Sequence, residues 1–160
     1  MSHPSLGLPA IDVTAGFPAA AARIEAAGER LGARALEVAV ERDPTLRDRY
    51  DEIGLRQLLR DTEVMINRIA LSVGANDTGF LAKWVDQTVP VYRRRRVPAD
   101  DIAQLLEGLR ASIGSLLVGA EAEPMHAAID EGIRILRWNR RVAGDARKRN
   151  RLAQFLYRGA

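Results

Sequence analysis

Arg60 and Asp61 stand side by side in the middle of the most regular apolar repeat of the chain. Successive helical residues turn by about 100°, so both fall at the border of that helix's apolar face. A guanidinium held there can clamp an anion, and the neighbouring carboxylate can accept hydrogen bonds from a ligand in a groove. An ordinary helical surface carries the same pair with no ligand at all. Trp84 and Tyr92 lie a little over two turns apart on the following helix, either as core residues or as the wall of a cofactor site. Arg93 to Arg96 form a run of four at the end of that helix, where cations interact well with the helix dipole. The run reads as a solvated helix end or as a binding patch.

The usual requirements for catalysis are missing around these residues. There is no Cys, which excludes disulfides, thiolate metal sites, Cys nucleophiles and thioether-linked cofactors. The two histidines, His3 and His126, have no partner at metal-ligand spacing, and His126 reads as a surface or partly buried structural residue. No glycine-rich phosphate loop, nucleophile elbow or carboxylate motif with metal spacing occurs. The chain therefore reads as a non-enzyme without a metal.

The elements that must position these residues are all helical. A first stretch runs from Pro18 to about Glu41, with Ile24, Leu31, Ala35 and Val38 on one face, and Gly28 and Gly32 weaken it, so that it reads as one helix or as two shorter ones. Asp43-Pro44 opens a short turn of helix ending near Tyr50. Leu55, Leu58, Leu59, Thr62, Ile66, Ile69 and Val73 mark the longest stripe, which ends at Gly74 and Asn76. Asp77 caps the next helix, and Pro90 is expected to kink it. A fourth long helix starts at Pro98 and carries Ile102, Leu105, Leu106, Leu109, Ile113, Leu116 and Leu117 up to Gly119. Pro124 opens a fifth, with Met125, Ile129, Ile133 and Leu136. The spacing predicts an all-α single domain of five to six helices over 18–143. A mobile leader covers 1–17, and a basic C-terminal helix covers 144–160 with Leu152, Phe155 and Leu156 on one face.

At 47% apolar residues the chain can bury a core. The leader has no basic n-region, and no apolar run is long enough to span a bilayer, so the expectation is a cytoplasmic protein with no membrane contact. Between Arg134 and Arg158 there are nine basic residues against one acidic, Asp145, on a chain of net charge +3, so the rest of the chain is net acidic. The basic end could meet phosphates, but it lacks a reading motif and a stacking platform, so docking on an acidic surface of the same or a neighbouring subunit is favoured over nucleic acid. Apolar positions in excess of a monomer's needs, notably Val89 and Val91 beside Trp84 and Tyr92, suggest a homodimer.

The segment "LLRDTEVMINRIALSVGANDTG…VYRRRRVPADDIAQLLEGLRASIGSLL", from Leu58 to Leu117, resembles the central part of the phycobiliprotein and globin-like superfamily. The order is a Leu-Arg-Asp helix, a small turn ending in Asp, an aromatic near the end of a helix, and a Pro-started helix. The segment is similar also to non-haem globin domains that serve as N-terminal sensors of bacterial stress regulators, and to helical bundles that precede cobalamin-binding domains. The resemblance implies a globin-like fold. It also implies a bilin whose propionate is held by Arg60 and whose pyrrole nitrogens donate to Asp61, with Trp84 and Tyr92 in the wall of the site. The attachment Cys of that pattern is Leu58 here, so a bilin would be bound non-covalently, and the two aromatics after the motif are Val64 and Met65. Haem with His ligation is disfavoured, because the helix from Asp77 to Arg95 has no His and His126 lies two helices later.

Three functions follow as expectations. One is non-covalent binding of a linear tetrapyrrole, with a regulatory or bilin-pathway protein as partner. A second is a ligand-free globin-like sensor module acting through dimerisation and partner binding. The third is nucleic-acid binding through the basic C-terminal helix.

Overall fold

The computed structural model describes residues 15–148. The leader up to residue 14 and the basic segment from residue 149 onward, including Leu152, Phe155 and Leu156, lie outside the described residues. Every regular element among the described residues is helical.

The first predicted helix is two: α1 (Pro18–Ala26) and α2 (Gly28–Arg42), separated at Ala27, whose backbone leaves helical geometry at φ −101° and ψ 4°. Pro18 opens α1, where its missing N–H costs nothing. Ahead of it, Phe17 donates its N–H to Val73 O at 2.9 Å, which pins the entry of the chain against the end of α4 (Glu52–Ala75). A single turn, α3 (Leu46–Arg49), precedes α4. Asp51 caps α4 by accepting from Gly54 N at 2.8 Å, and Asn76 ends it in the left-handed region at φ 50°. α5 (Gly79–Arg94) follows, with Asp77 Oδ1 accepting from Gly79 N at 2.8 Å, and the helix runs on through Pro90.

α6 (Ala99–Gly114) stops five residues before the expected Gly119. Gly114 and Ser115 are poor helix formers, Ser115 Oγ donates to Ser112 O at 2.8 Å, and Leu116 N turns to Ile113 O at 2.8 Å. Leu116 and Leu117 therefore pack on the core from a turn rather than from the helix. A 3₁₀ turn (Gly119–Glu121) leads into α7 (Ala122–Ala143). Residues 145–148 are not helical, so the expected C-terminal helix does not begin at 144.

Partners are mostly distant in sequence. α2 packs most extensively on α6, α1 on α4, and α5 on α7, while α4 also touches α2, α5 and α7. Leu58, Ile66 and Ile69 of α4 and Leu105, Leu106 and Leu109 of α6 belong to one buried apolar core. The α2–α6 crossing is tight: a Cβ on Gly108 would lie 2.3 Å from Ala35 O. None of the described helices is long and apolar enough to cross a membrane.

Candidate functional site

The α4–α5 contact brings Asp61, Trp84 and Tyr92 together and leaves Arg60 outside. Asp61 accepts from Arg95 Nη1 at 2.8 Å, and Arg95 Nη2 donates to Gln57 Oε1 at 3.2 Å. The same guanidinium lies over the Tyr92 ring, 5.6 Å from its centroid, and Trp84 meets that ring edge-on at 6.4 Å. Tyr92 is only 2% exposed. Its hydroxyl is buried without a hydrogen bond of ordinary geometry. Burial first, and then the nearby Asp61 charge, push its pKa up. Arg95 is thus the member of the Arg93–Arg96 run that completes the cluster. Arg60 is exposed and has no ion-pair partner among the described residues.

The charges of this arrangement are already paired with each other. Asp61 Oδ2 is already engaged by Arg95, which would compete with a ligand for the carboxylate. The recess beside Tyr92, walled by Val89, Val97 and Leu136, measures about 10 Å³, the space of a single water. Val89 and Tyr92 are buried within the protomer, and Trp84 and Val91 are half-buried. Of the apolar surplus expected on α5, Val89 and Tyr92 are core, while Trp84 and Val91 keep part of their surface in solvent.

A second polar cluster was not foreseen from the sequence. Asp101, in the first turn of α6, is fully buried. It accepts from Arg49 Nε at 3.0 Å, Arg49 Nη2 at 2.5 Å and Tyr50 Oη at 2.6 Å. Arg49 donates further to Asp43 at 2.7 Å and to Thr45 Oγ1 at 2.6 Å. Burial works against the Arg49 charge, but the bonds to Asp101 and Asp43 outweigh it and raise its pKa. The Thr45 hydroxyl and Arg49 hold the Asp43 carboxyl down, at about 2. Burial, and then Asp101, raise the Tyr50 phenol. Residues 144–148 fold back onto this corner. Asp145 Oδ1 accepts from Ala99 N at 2.9 Å, and Lys148 Nζ lies 2.5 Å from Asp100 and 3.6 Å from Asp43. The start of the basic segment therefore meets acidic groups of its own chain.

Between the two clusters lies an open recess of about 230 Å³, walled by Arg49, Tyr50, Ile53, Gln57, Arg95 and Val97 among others. Both of these arginines are already ion-paired, and the space is smaller than a typical small-molecule site of ~300 Å³ or more. His126 is exposed, with Nδ1 2.9 Å from Arg110 Nη1, and Arg110 also pairs with Asp130 and Glu107. No group of three or more His, Asp or Glu side chains among the described residues could hold a metal ion.

Apolar side chains do remain uncovered elsewhere. Ile53, Val64 and Leu71 of α4 are 67%, 37% and 40% exposed, and Trp138 and Val142 stand out at the end of α7, with Arg141 stacked on Trp138 at 5.8 Å. No protein-family model matches the chain and no curated protein matches it, which leaves this arrangement of side chains as the ground for its function.

Proposed function

We propose that the chain is a non-catalytic, globin-like interaction module that works by binding other protein chains rather than a pigment. The observation that carries this reading is the Asp61–Arg95–Tyr92–Trp84 cluster: it is closed by its own side chains, while large apolar residues stay exposed on the outer side of α4. A tetrapyrrole would need that cluster opened and a cavity of several hundred Å³ in its place. The globin-like assignment draws support from the pairing of helices. In an up-and-down bundle, neighbours in sequence are the main partners; here α1, α2 and α5 pack mainly on α4, α6 and α7.

The test is an absorption titration of the full chain with biliverdin and with haem, run beside sedimentation. The reading expects no saturable band with either pigment, together with self-association or complex formation. A saturable bilin band that weakens in Arg60→Ala and shifts in Asp61→Ala would replace it with the tetrapyrrole reading.

A further inference from the structure

We propose that the outer face of α4 docks an acidic amphipathic helix of a different protein; this rests on the reading of the chain as a protein-binding module and names the face and the partner chemistry. Ile53, Val64 and Leu71 fall within about 20° of one line along α4 at 100° per residue, opposite the buried stripe of Leu58, Ile66, Ile69 and Val73. The line covers 18 residue steps, about 27 Å at 1.5 Å per residue, the length of a five-turn partner helix. Val64 and Leu71, two turns apart, with Ile53 further along the line, would meet the apolar face of one incoming helix.

Charge selects the occupant. Arg60 and Arg68 straddle the line on either side of Val64, and neither has an ion-pair partner among the described residues. The carboxylates Glu52 and Glu63 lie about 80–100° round the helix from the line, towards α2, and Glu52 is paired with Arg56. Beyond Asp61, Arg93, Arg94 and Arg96 extend the positive surface at the end of α5. Flanking Asp or Glu on an incoming helix would pair with Arg60 and Arg68 and steer its approach.

A second copy fits poorly. Two α4 helices packed antiparallel about Val64 set Arg60 of one opposite Arg68 of the other, twice. The chain's own ends fit no better: residues 149–160 carry three Arg and no acid, and residues 1–14 carry a single acid, Asp12. Nor do the other exposed large apolar residues of a second copy offer an acidic helix, because Trp138 and Val142 sit among Arg137, Arg140 and Arg141, and Val118 stands alone in the turn before α7. The charge pattern therefore favours an acidic helix of another protein as the occupant.

The experiment uses the full chain and two labelled synthetic helices matched in length to the α4 line. Both have the same apolar stripe; one is flanked by Glu and the other by Lys. Fluorescence anisotropy should show the Glu helix binding at least about tenfold tighter than the Lys helix, with the difference shrinking in high salt. Val64→Glu, and separately Arg60→Glu with Arg68→Glu, should weaken the Glu helix by about tenfold or more. Circular dichroism melts of these variants should match the parent, since all three side chains point outward. Equal binding of both helices, binding of neither, or binding unchanged by the α4 variants overturns the proposal. Self-association lost in Val64→Glu would reassign the face to a second copy, and capture of phosphatidylglycerol vesicles lost in the same variants would reassign it to a membrane surface. Either result overturns the docking proposal, and self-association would leave the interaction-module reading standing. A saturable biliverdin band would remove that reading itself.

Discussion

Two Arg–Asp clusters lie on either side of the recess that opens beside Gln57, and the same residue types do different work in them. At the α3–α6 corner, Asp101 is fully buried and takes three hydrogen bonds from Arg49 and Tyr50, so every lone pair that faces a donor is used. On the α4–α5 ledge, Asp61 shares one guanidinium with Gln57 and Tyr92, and its side chain and that of Arg95 keep 20% and 27% of their surface in solvent. Burial separates a cluster that holds the fold from one that trims a surface. A buried charge left without its partner is costly, whereas an accessible one is rescued by water.

The sharpest test of that contrast is Asp101→Ala. It leaves the buried Arg49 with Asp43 and Thr45 alone and the Tyr50 hydroxyl without its acceptor, and should cost about 3 kcal/mol, read from urea unfolding. Asp101→Asn should lose less, because the amide oxygen still accepts from Arg49. If Asp101→Ala costs no more than a surface pair, the corner is not the staple its geometry suggests.

Next in size is a position with no charge at all. Gly108→Ala puts a methyl 2.3 Å from the Ala35 carbonyl oxygen, and backbone rather than a flexible side chain must give way. Forcing α2 from α6 should cost about 1–3 kcal/mol by the same measurement. Gly32→Ala makes the control, since its added Cβ meets only Leu59, Glu63 and Ile66 side chains at 3.5 Å or more.

The corner should also report itself through acid. The Asp43 carboxyl titrates at about 2 in the fold against an ordinary 3.8, so the folded state holds its proton less tightly than the unfolded chain. Its stabilisation is complete above about pH 4 and fades as the pH falls towards 2, worth no more than about 2 kcal/mol in all. Asp43→Asn should flatten the acid limb of a stability-versus-pH curve over that window while leaving the neutral region parallel to the parent. An unchanged acid limb would mean that Thr45 and Arg49 do not hold the carboxylate in solution.

The two clusters also mark what could be read from the residues alone. α4 was legible because its stripe, its Gly-Ala-Asn ending and its length agree at once, and the break near Gly28 was legible because glycine weakens a helix locally. The nearness of Trp84 to Tyr92 followed from helical spacing, but the partner of Asp61 did not: Arg95 lies 34 residues away and comes from a run read as solvated. Asp100 and Asp101 stand side by side in the first turn of α6. Which of the two turns inward depends on Arg49 and Tyr50, some 50 residues earlier, and no local pattern carries that information. The early end of α6 was hidden for a related reason, since Leu116 and Leu117 keep an apolar pattern while packing from a turn.

The smallest effect is the most informative about the ledge. Asp61→Asn removes the charge that pairs with Arg95, yet the amide oxygen still accepts from the guanidinium, which also reaches Gln57 and water. The loss should stay below about 1 kcal/mol, as for a partly exposed pair. Tyr92 should respond more than stability does. Its hydroxyl is buried without a hydrogen bond of ordinary geometry, and after burial the nearby Asp61 charge is the main influence that raises its pKa, so neutralising Asp61 lowers the phenol's pKa. An ultraviolet alkaline titration, with Tyr92→Phe to identify the band, should show that phenol ionising earlier in Asp61→Asn than in the parent. Destabilisation by several kcal/mol would instead make Asp61 a second structural staple and erase the distinction between ledge and corner. A small loss with an earlier phenol titration would keep it, leaving the outer side of α4 free to differ from its inner side in what it binds.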